Sequence, residues 1–186
     1  MLESQGLIES QGSGMFAVAE LGNPLNQSLN LLLSLDGSNL HELYEIRKLL
    51  EGELAALAAE RRTDEDLGRI LSALQQMRDG LDSEERYIDA DVRFHLAIAD
   101  ATGNRFAVHM MQALRERFHH ALSSVYNIPG SAETSLRQHQ QILDAIAGGR
   151  GEDARVLMRE HLLSVEADIE RMGIASAPSL PDASNS

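Results

Sequence analysis

An apolar stripe of helical period runs from Leu40 to about Met172, interrupted only at glycine-marked stops, and it constrains this chain more than any other feature. Apolar residues recurring three and four positions apart put one face of each segment inside a core. The stops fall at Gly80, Gly103, Pro129-Gly130 and Gly148-Gly149, residues that end helices because they tolerate left-handed backbone or cannot continue the hydrogen-bond ladder. They divide the run into six helices, at about 40–62, 64–81, 84–101, 105–127, 132–148 and 152–172. Thr63 (with Asp66 three on), Ser83 and Asn104 stand at helix starts as N-caps. No strand-like alternation breaks the series. Short connections between helices of similar length predict an antiparallel all-α bundle.

The flanks differ. In residues 1–20, Leu7-Ile8 and Phe16-Ala17-Val18 are short β-prone runs separated by Gln11-Gly12-Ser13-Gly14, which is turn chemistry. The expectation is a small β-hairpin. Residues 21–39 read as a connector around a leucine-rich patch, Leu29 to Leu35, that suits a short helix. Residues 173–186 are rich in Ser, Ala and Pro and read as a disordered tail.

Four metal-capable side chains lie on stripes that should be apolar. In the third helix, Asp91 follows Ile88 by three and His95 precedes Ile98 by three. Asp91 and His95 are themselves four apart, so they share a face and can ligate one ion. In the fifth helix, His139 lies three after Leu136 and four before Leu143. In the sixth, His161 lies four after Leu157 and four before Val165. For any one histidine the plainer reading is a hydrogen-bonded core residue. Three on three helices, with a carboxylate beside one of them, favour a divalent transition metal. A buried carboxylate also calls for a counter-charge. Cysteine is absent, so the ligands are nitrogen and oxygen only. That set favours Zn, Ni or Fe over Mg and admits Mn, with zinc first. One carboxylate and three imidazoles leave coordination positions for water or a chelating acid.

Arg47 is a fifth departure, on the line Leu43, Arg47, Leu50, Leu54 of the first helix. A guanidinium facing a core needs an anion. Two readings stand: an internal ion pair with Glu51 one turn on, or a clamp for the carboxylate of a bound ligand.

The net charge of −13, with no Lys or Arg before Arg47 and a single lysine, Lys48, argues against direct nucleic-acid binding by this chain, because such binding rests on cations that neutralise phosphates. No apolar run reaches transmembrane length and the N-terminus lacks signal-peptide architecture, so a cytoplasmic location is expected.

Glu45, Arg47 and Glu51 in the first helix, Asp91 and His95 followed by Gly103-Asn104, the histidine of the helix that ends AIAGGR, and M-x-x-H-L in the last helix together resemble the GntR-type bacterial transcription regulators, in the FadR-like subgroup whose helical FCD domain senses ligands. The likeness spans about residues 40–172. It implies that Asp91, His95, His139 and His161 hold a metal, that a small carboxylic acid binds beside it, and that Arg47 and Asn104 contact that effector. LESQGLIESQGSGMFAV also resembles the end of a winged helix-turn-helix domain with its β-wing. By that likeness residues 1–20 are the remnant of a wing, 21–39 a linker and 40–172 the metal- and effector-binding domain. Operator DNA would be contacted by a homodimer of the full-length protein, through a domain this chain mostly lacks. A metal-dependent hydrolase or lyase is the alternative that the ligand set alone leaves open.

Overall fold

A computed structural model describes residues 8–10, 16–18 and 40–172. Two strands, β1 (Ile8–Ser10) and β2 (Phe16–Val18), pair antiparallel with Ile8 opposite Val18 and Ser10 opposite Phe16. The expected hairpin is therefore present. Its turn, the connector with the helix expected near residues 29–35, and the C-terminal tail lie outside the described residues.

Among the described residues six helices follow: α1 (Leu40–Arg61), α2 (Asp64–Asp79), α3 (Glu84–Ala101), α4 (Arg105–Tyr126), α5 (Ser131–Ala147) and α6 (Gly151–Arg171). Each matches an expected helix to within about two residues, the usual scatter of helix ends. Thr63 and Asp66 form a complete capping box: Thr63 Oγ1 accepts from the Asp66 amide at 3.2 Å, and Asp66 Oδ2 accepts from the Thr63 amide at 2.8 Å. Ser83 occupies the N-cap of α3, but its side chain makes no capping bond, so that expectation holds for position and fails for mechanism. Gly103, Gly130 and Gly149 take positive φ (68°, 81° and 66°), where a Cβ would be strained. Gly80, in contrast, closes α2 at φ −98°.

Helix α1 packs most extensively along α6 and also meets α3 and α5, while α2 lies against α3 and α5, and α4 against α3. The α1–α6 approach is close because α1 is small along its inner face: Ala55, Ala56, Ala58 and Ala59 are buried, and a Cβ on Gly52 would come within 3.0 Å of Arg159 Cγ. The apolar core runs through Leu54, Ile70, Leu74, Met77, Ile88, Phe94, Ile98, Ile142, Ile146, Met158 and Leu162. Leu136 and Leu157, expected inside, are half-buried at its margin. Tyr87 Oη donates to the Ala132 carbonyl at 3.1 Å and Tyr126 Oη to the Leu81 carbonyl at 3.0 Å, pinning α3 to α5 and α4 to the α2–α3 corner. Among the described residues no helix is long and apolar enough to cross a membrane.

A candidate metal centre

The four helices α1, α3, α5 and α6 surround a polar knot inside this core. Asp91 and His95 come from adjacent turns of α3, His139 from α5 and His161 from α6, and none is more than 3% exposed. His95, His139 and His161 each offer a ring nitrogen within 4.8 Å of the others. Ring centroids are 4.3 Å apart for His139–His161, 5.2 Å for His95–His139 and 5.5 Å for His95–His161. Phe94 closes one side, edge-on to His139 at 4.6 Å. Asp91 Oδ1 lies 3.5 Å from His139 Nε2, and Asp91 Oδ2 lies 3.7 Å from His95 Nε2.

The outer nitrogen of every ring has a neighbour. His95 Nδ1 is 2.5 Å from Glu51 Oε2, which approaches off the N–H direction. His139 Nδ1 is 3.3 Å from Ser135 Oγ, and His161 Nδ1 is 3.0 Å from Gln138 Oε1. An imidazole that donates from Nδ1 presents a lone pair at Nε2. Two of those inner nitrogens, on His95 and His139, stand 3.2 Å apart. Facing lone pairs at that distance repel unless a proton or a cation lies between them. Neither oxygen of Asp91 has a hydrogen-bond partner, an expensive state for a carboxylate in a dry interior. Converging nitrogen lone pairs beside an unsatisfied carboxylate are a donor set that fits a divalent cation.

Electrostatics agree. Burial raises the Asp91 carboxyl above its ordinary range, against the pull of His95 and Arg47. Burial drives His139 and His161 well below the usual imidazole value; the neighbouring His95 adds to this for His139, as does His139 for His161. Both are thus neutral and able to ligate at ordinary pH. Burial alone would raise Glu51, yet Arg47 and His95 outweigh it and bring it down to about 2.

Of the two readings of Arg47, the ion pair is formed: Arg47 Nε donates to Glu51 Oε1 at 2.6 Å, with both side chains 2% exposed. The guanidinium also lies over the Tyr44 ring, 4.9 Å from its centroid. Asn104 is on the surface, where its side-chain oxygen accepts from the amides of Phe106 and Ala107 and caps α4. Sequence reasoning did not single out Tyr44, Ser135 or Gln138, and it placed Glu51 only as Arg47's partner. For Tyr44 a signal existed, three residues before Arg47 on the same face. Ser135 likewise stands one turn before His139. Gln138 carried none.

The family model of the FCD domain matches residues 42–164, a span that contains Arg47, Glu51 and all four metal-capable residues. This is a helical ligand-binding domain of a transcriptional regulator. The chain belongs to the FCD-domain family of GntR-type regulators. It is 34% identical over 171 residues to the HTH-type transcriptional regulator LutR of Bacillus subtilis (strain 168), covering 89% of this chain and 78% of that one. A protein of Escherichia coli (strain K12) named as a regulator of the L-lactate dehydrogenase operon is 32% identical over 151 residues, or 78% of this chain, and the chain spans only 57% of that relative's length. The Glc operon transcriptional activator of the same organism is 29% identical over 179 residues, with 91% and 70% covered. In fold the chain is similar to a GntR protein of Streptococcus agalactiae (TM-score 0.69, 23% identity, 89% of this chain and 77% of that chain covered).

Proposed function

We propose that residues 40–172 form a metal-containing sensor of a small carboxylic acid. Asp91, His95, His139 and His161 take the metal, zinc first among Zn, Ni, Mn and Fe. The observation that carries this reading is the pairing of converging imidazole nitrogens with a buried Asp91 whose two oxygens accept no hydrogen bond. Bound there, the ion would supply a positive centre with open positions for an oxygen chelate. Three imidazoles without charge and one carboxylate leave a divalent ion with net positive charge, which favours an anion. Arg47's charge is felt at Asp91, His139 and His161, and its partner Glu51 opposes it at the first two. A relative named for an L-lactate dehydrogenase operon supports a small acid as the effector class.

Regulation would follow from linkage. The effector binds one packing of α1, α3, α5 and α6 better than another and shifts a homodimer between them. Operator DNA would be contacted through a winged-helix domain of the full-length protein, of which the β1–β2 hairpin is the wing. Residues 21–39 act as the linker, and the protein works in the cytoplasm. The relatives are named as transcriptional regulators, which gives a hydrolase or lyase reading of the same residues no support. The deciding experiment is elemental analysis of the purified protein, followed by a thermal-shift screen of small carboxylic acids with and without chelator. Metal at about one ion per chain, with acids that raise the melting temperature only in its presence, supports the reading. Metal-free protein that takes up no ion on titration overturns it.

A further inference from the structure

Helix α1 contributes none of the four proposed ligands, yet it reaches the histidine cluster through one side chain. Glu51 is 2% exposed and spans two partners with its two oxygens: Oε1 is 2.6 Å from Arg47 Nε and Oε2 is 2.5 Å from His95 Nδ1. Oε2 stands off the N–H direction and makes no well-aligned hydrogen bond, yet a carboxylate oxygen this near Nδ1 favours a proton there over a lone pair. With Nδ1 protonated, Nε2 turns its lone pair to His139 and Asp91.

The three histidines are not held alike. His139 and His161 have uncharged neighbours at Nδ1, Ser135 and Gln138, both from α5. His95 alone has a carboxylate, and it comes from another helix. A carboxylate behind an imidazole fixes its tautomer and ring orientation and makes the far nitrogen a stronger donor. The same carboxylate would be a liability without Arg47, because the interior already holds the unsatisfied Asp91. With Arg47 one turn before it on α1, Glu51 stands behind His95 and adds no net charge to the interior.

We infer that Glu51 is a positioning residue for the site: it selects the Nδ1-protonated tautomer of His95, with Arg47 as its internal counter-ion. The consequence for metal affinity rests on the metal reading above, whereas the tautomer is a property of the metal-free protein. Long-range ¹H–¹⁵N spectra of the imidazole rings, recorded on the whole metal-free chain, read the tautomer directly. Glu51→Ala would strand a buried guanidinium, so the main variant is Arg47→Met with Glu51→Leu, an apolar pair of the kind that often replaces a buried ion pair without loss of stability. Expected are loss of the single tautomer at His95, an unchanged spectrum at His161, and Co²⁺ affinity lower by roughly 10–100-fold with an altered visible spectrum. Glu51→Gln, which keeps an acceptor oxygen, should restore the tautomer. A His95 that keeps its Nδ1 proton in the double variant overturns the inference, as does a double variant with wild-type Co²⁺ affinity and spectrum. Wild-type protein that takes no Co²⁺ would instead sink the metal reading, and the tautomer comparison would still decide the role of Glu51.

Discussion

Among the described residues two clusters of metal-capable side chains stand out, and they differ in what already satisfies them. Inside, His95, His139 and His161 converge beside Asp91. At the surface, exposed His41 of α1 and Glu170 of α6 meet Glu166, whose side chain is buried. In the surface group His41 Nδ1 is paired with Glu166 Oε1 at 2.8 Å, and Lys48 Nζ takes Glu166 Oε2 at 2.6 Å. The His41 side chain is 53% exposed, so water satisfies what its neighbours do not. The inner group is buried from solvent, and its Asp91 oxygens accept nothing. Residue type alone would rank the two clusters together. Unmet donor capacity in a dry place separates them.

The sharpest way to break this contrast is to delete one ligand from each cluster. His139→Ala or His161→Ala should lower metal affinity on the order of a hundredfold or more. That is roughly 3 kcal/mol, one ligand's share of the roughly 10–16 kcal/mol typical of a structural zinc site. Circular dichroism should show the bundle still helical. His41→Ala should leave metal content unchanged. Elemental analysis of the three variants checks this, and a metal-free His41→Ala protein would reverse the ranking.

Acid should next distinguish dry from wet. His139 and His161 have folded pKa values below the unfolded imidazole value of about 6.5. Below that pH the unfolded chain binds more protons than the folded one, so stability is full above about 6.5 and is lost as pH falls. The slope approaches about 1.4 kcal/mol per pH unit for each histidine. Glu51, depressed to about 2, adds a loss of the same sign between its usual range and that value. Asp91, raised by burial, works in the opposite sense. Calorimetry of metal-free protein from pH 7 to 5 should show a falling melting temperature, with the slope largely gone in the His139→Ala, His161→Ala double variant. An unchanged slope would mean that the inner histidines are not held neutral.

Asp91→Asn sharpens the contrast by a change of sign. Without metal it should stabilise the fold by about 1–2 kcal/mol, because an unsatisfied buried carboxylate is removed. With metal it should be less stable than wild type, having lost a ligand. Thermal melts in chelator and in added zinc measure both halves, and destabilisation in chelator would show Asp91 to be already compensated. The smallest effect belongs to the surface: Lys48→Met should shift stability by less than about 1 kcal/mol, and less still at high salt. A larger loss in urea denaturation would place the α1–α6 ion pairs among the main supports of the fold.

Much of the molecule was legible beforehand. The helices were, because a stripe of period near 3.6 and a glycine or an N-cap at each end are local signals; Thr63 with Asp66 and Asn104 act as their sequence contexts imply. The four metal-capable residues were legible because polar residues on a core-facing stripe are anomalies. At Asn104 the side chain caps α4 at the surface. Ser83 shows the converse limit, since a good capping residue at the right position makes no cap bond. Arg47 and Glu51, four apart on one helix, could be paired from spacing alone. That Glu51 also stands behind His95 could not.

By itself, then, the order of residues determined which segments are helical, which faces turn inward and which inward residues break the apolar rule. These are properties of spacing along one helix, where residues three and four apart are neighbours whatever the rest of the chain does. Only the tertiary structure decided which nitrogen of each histidine faces the cluster, and that Asp91 is left without a hydrogen-bond partner where Glu166 is satisfied by His41 and Lys48. Each of those depends on groups brought together from different helices, such as Glu51 and His95 or His41 and Glu166. The energies involved are set by burial and by the exclusion of water, which exist only once the helices have packed.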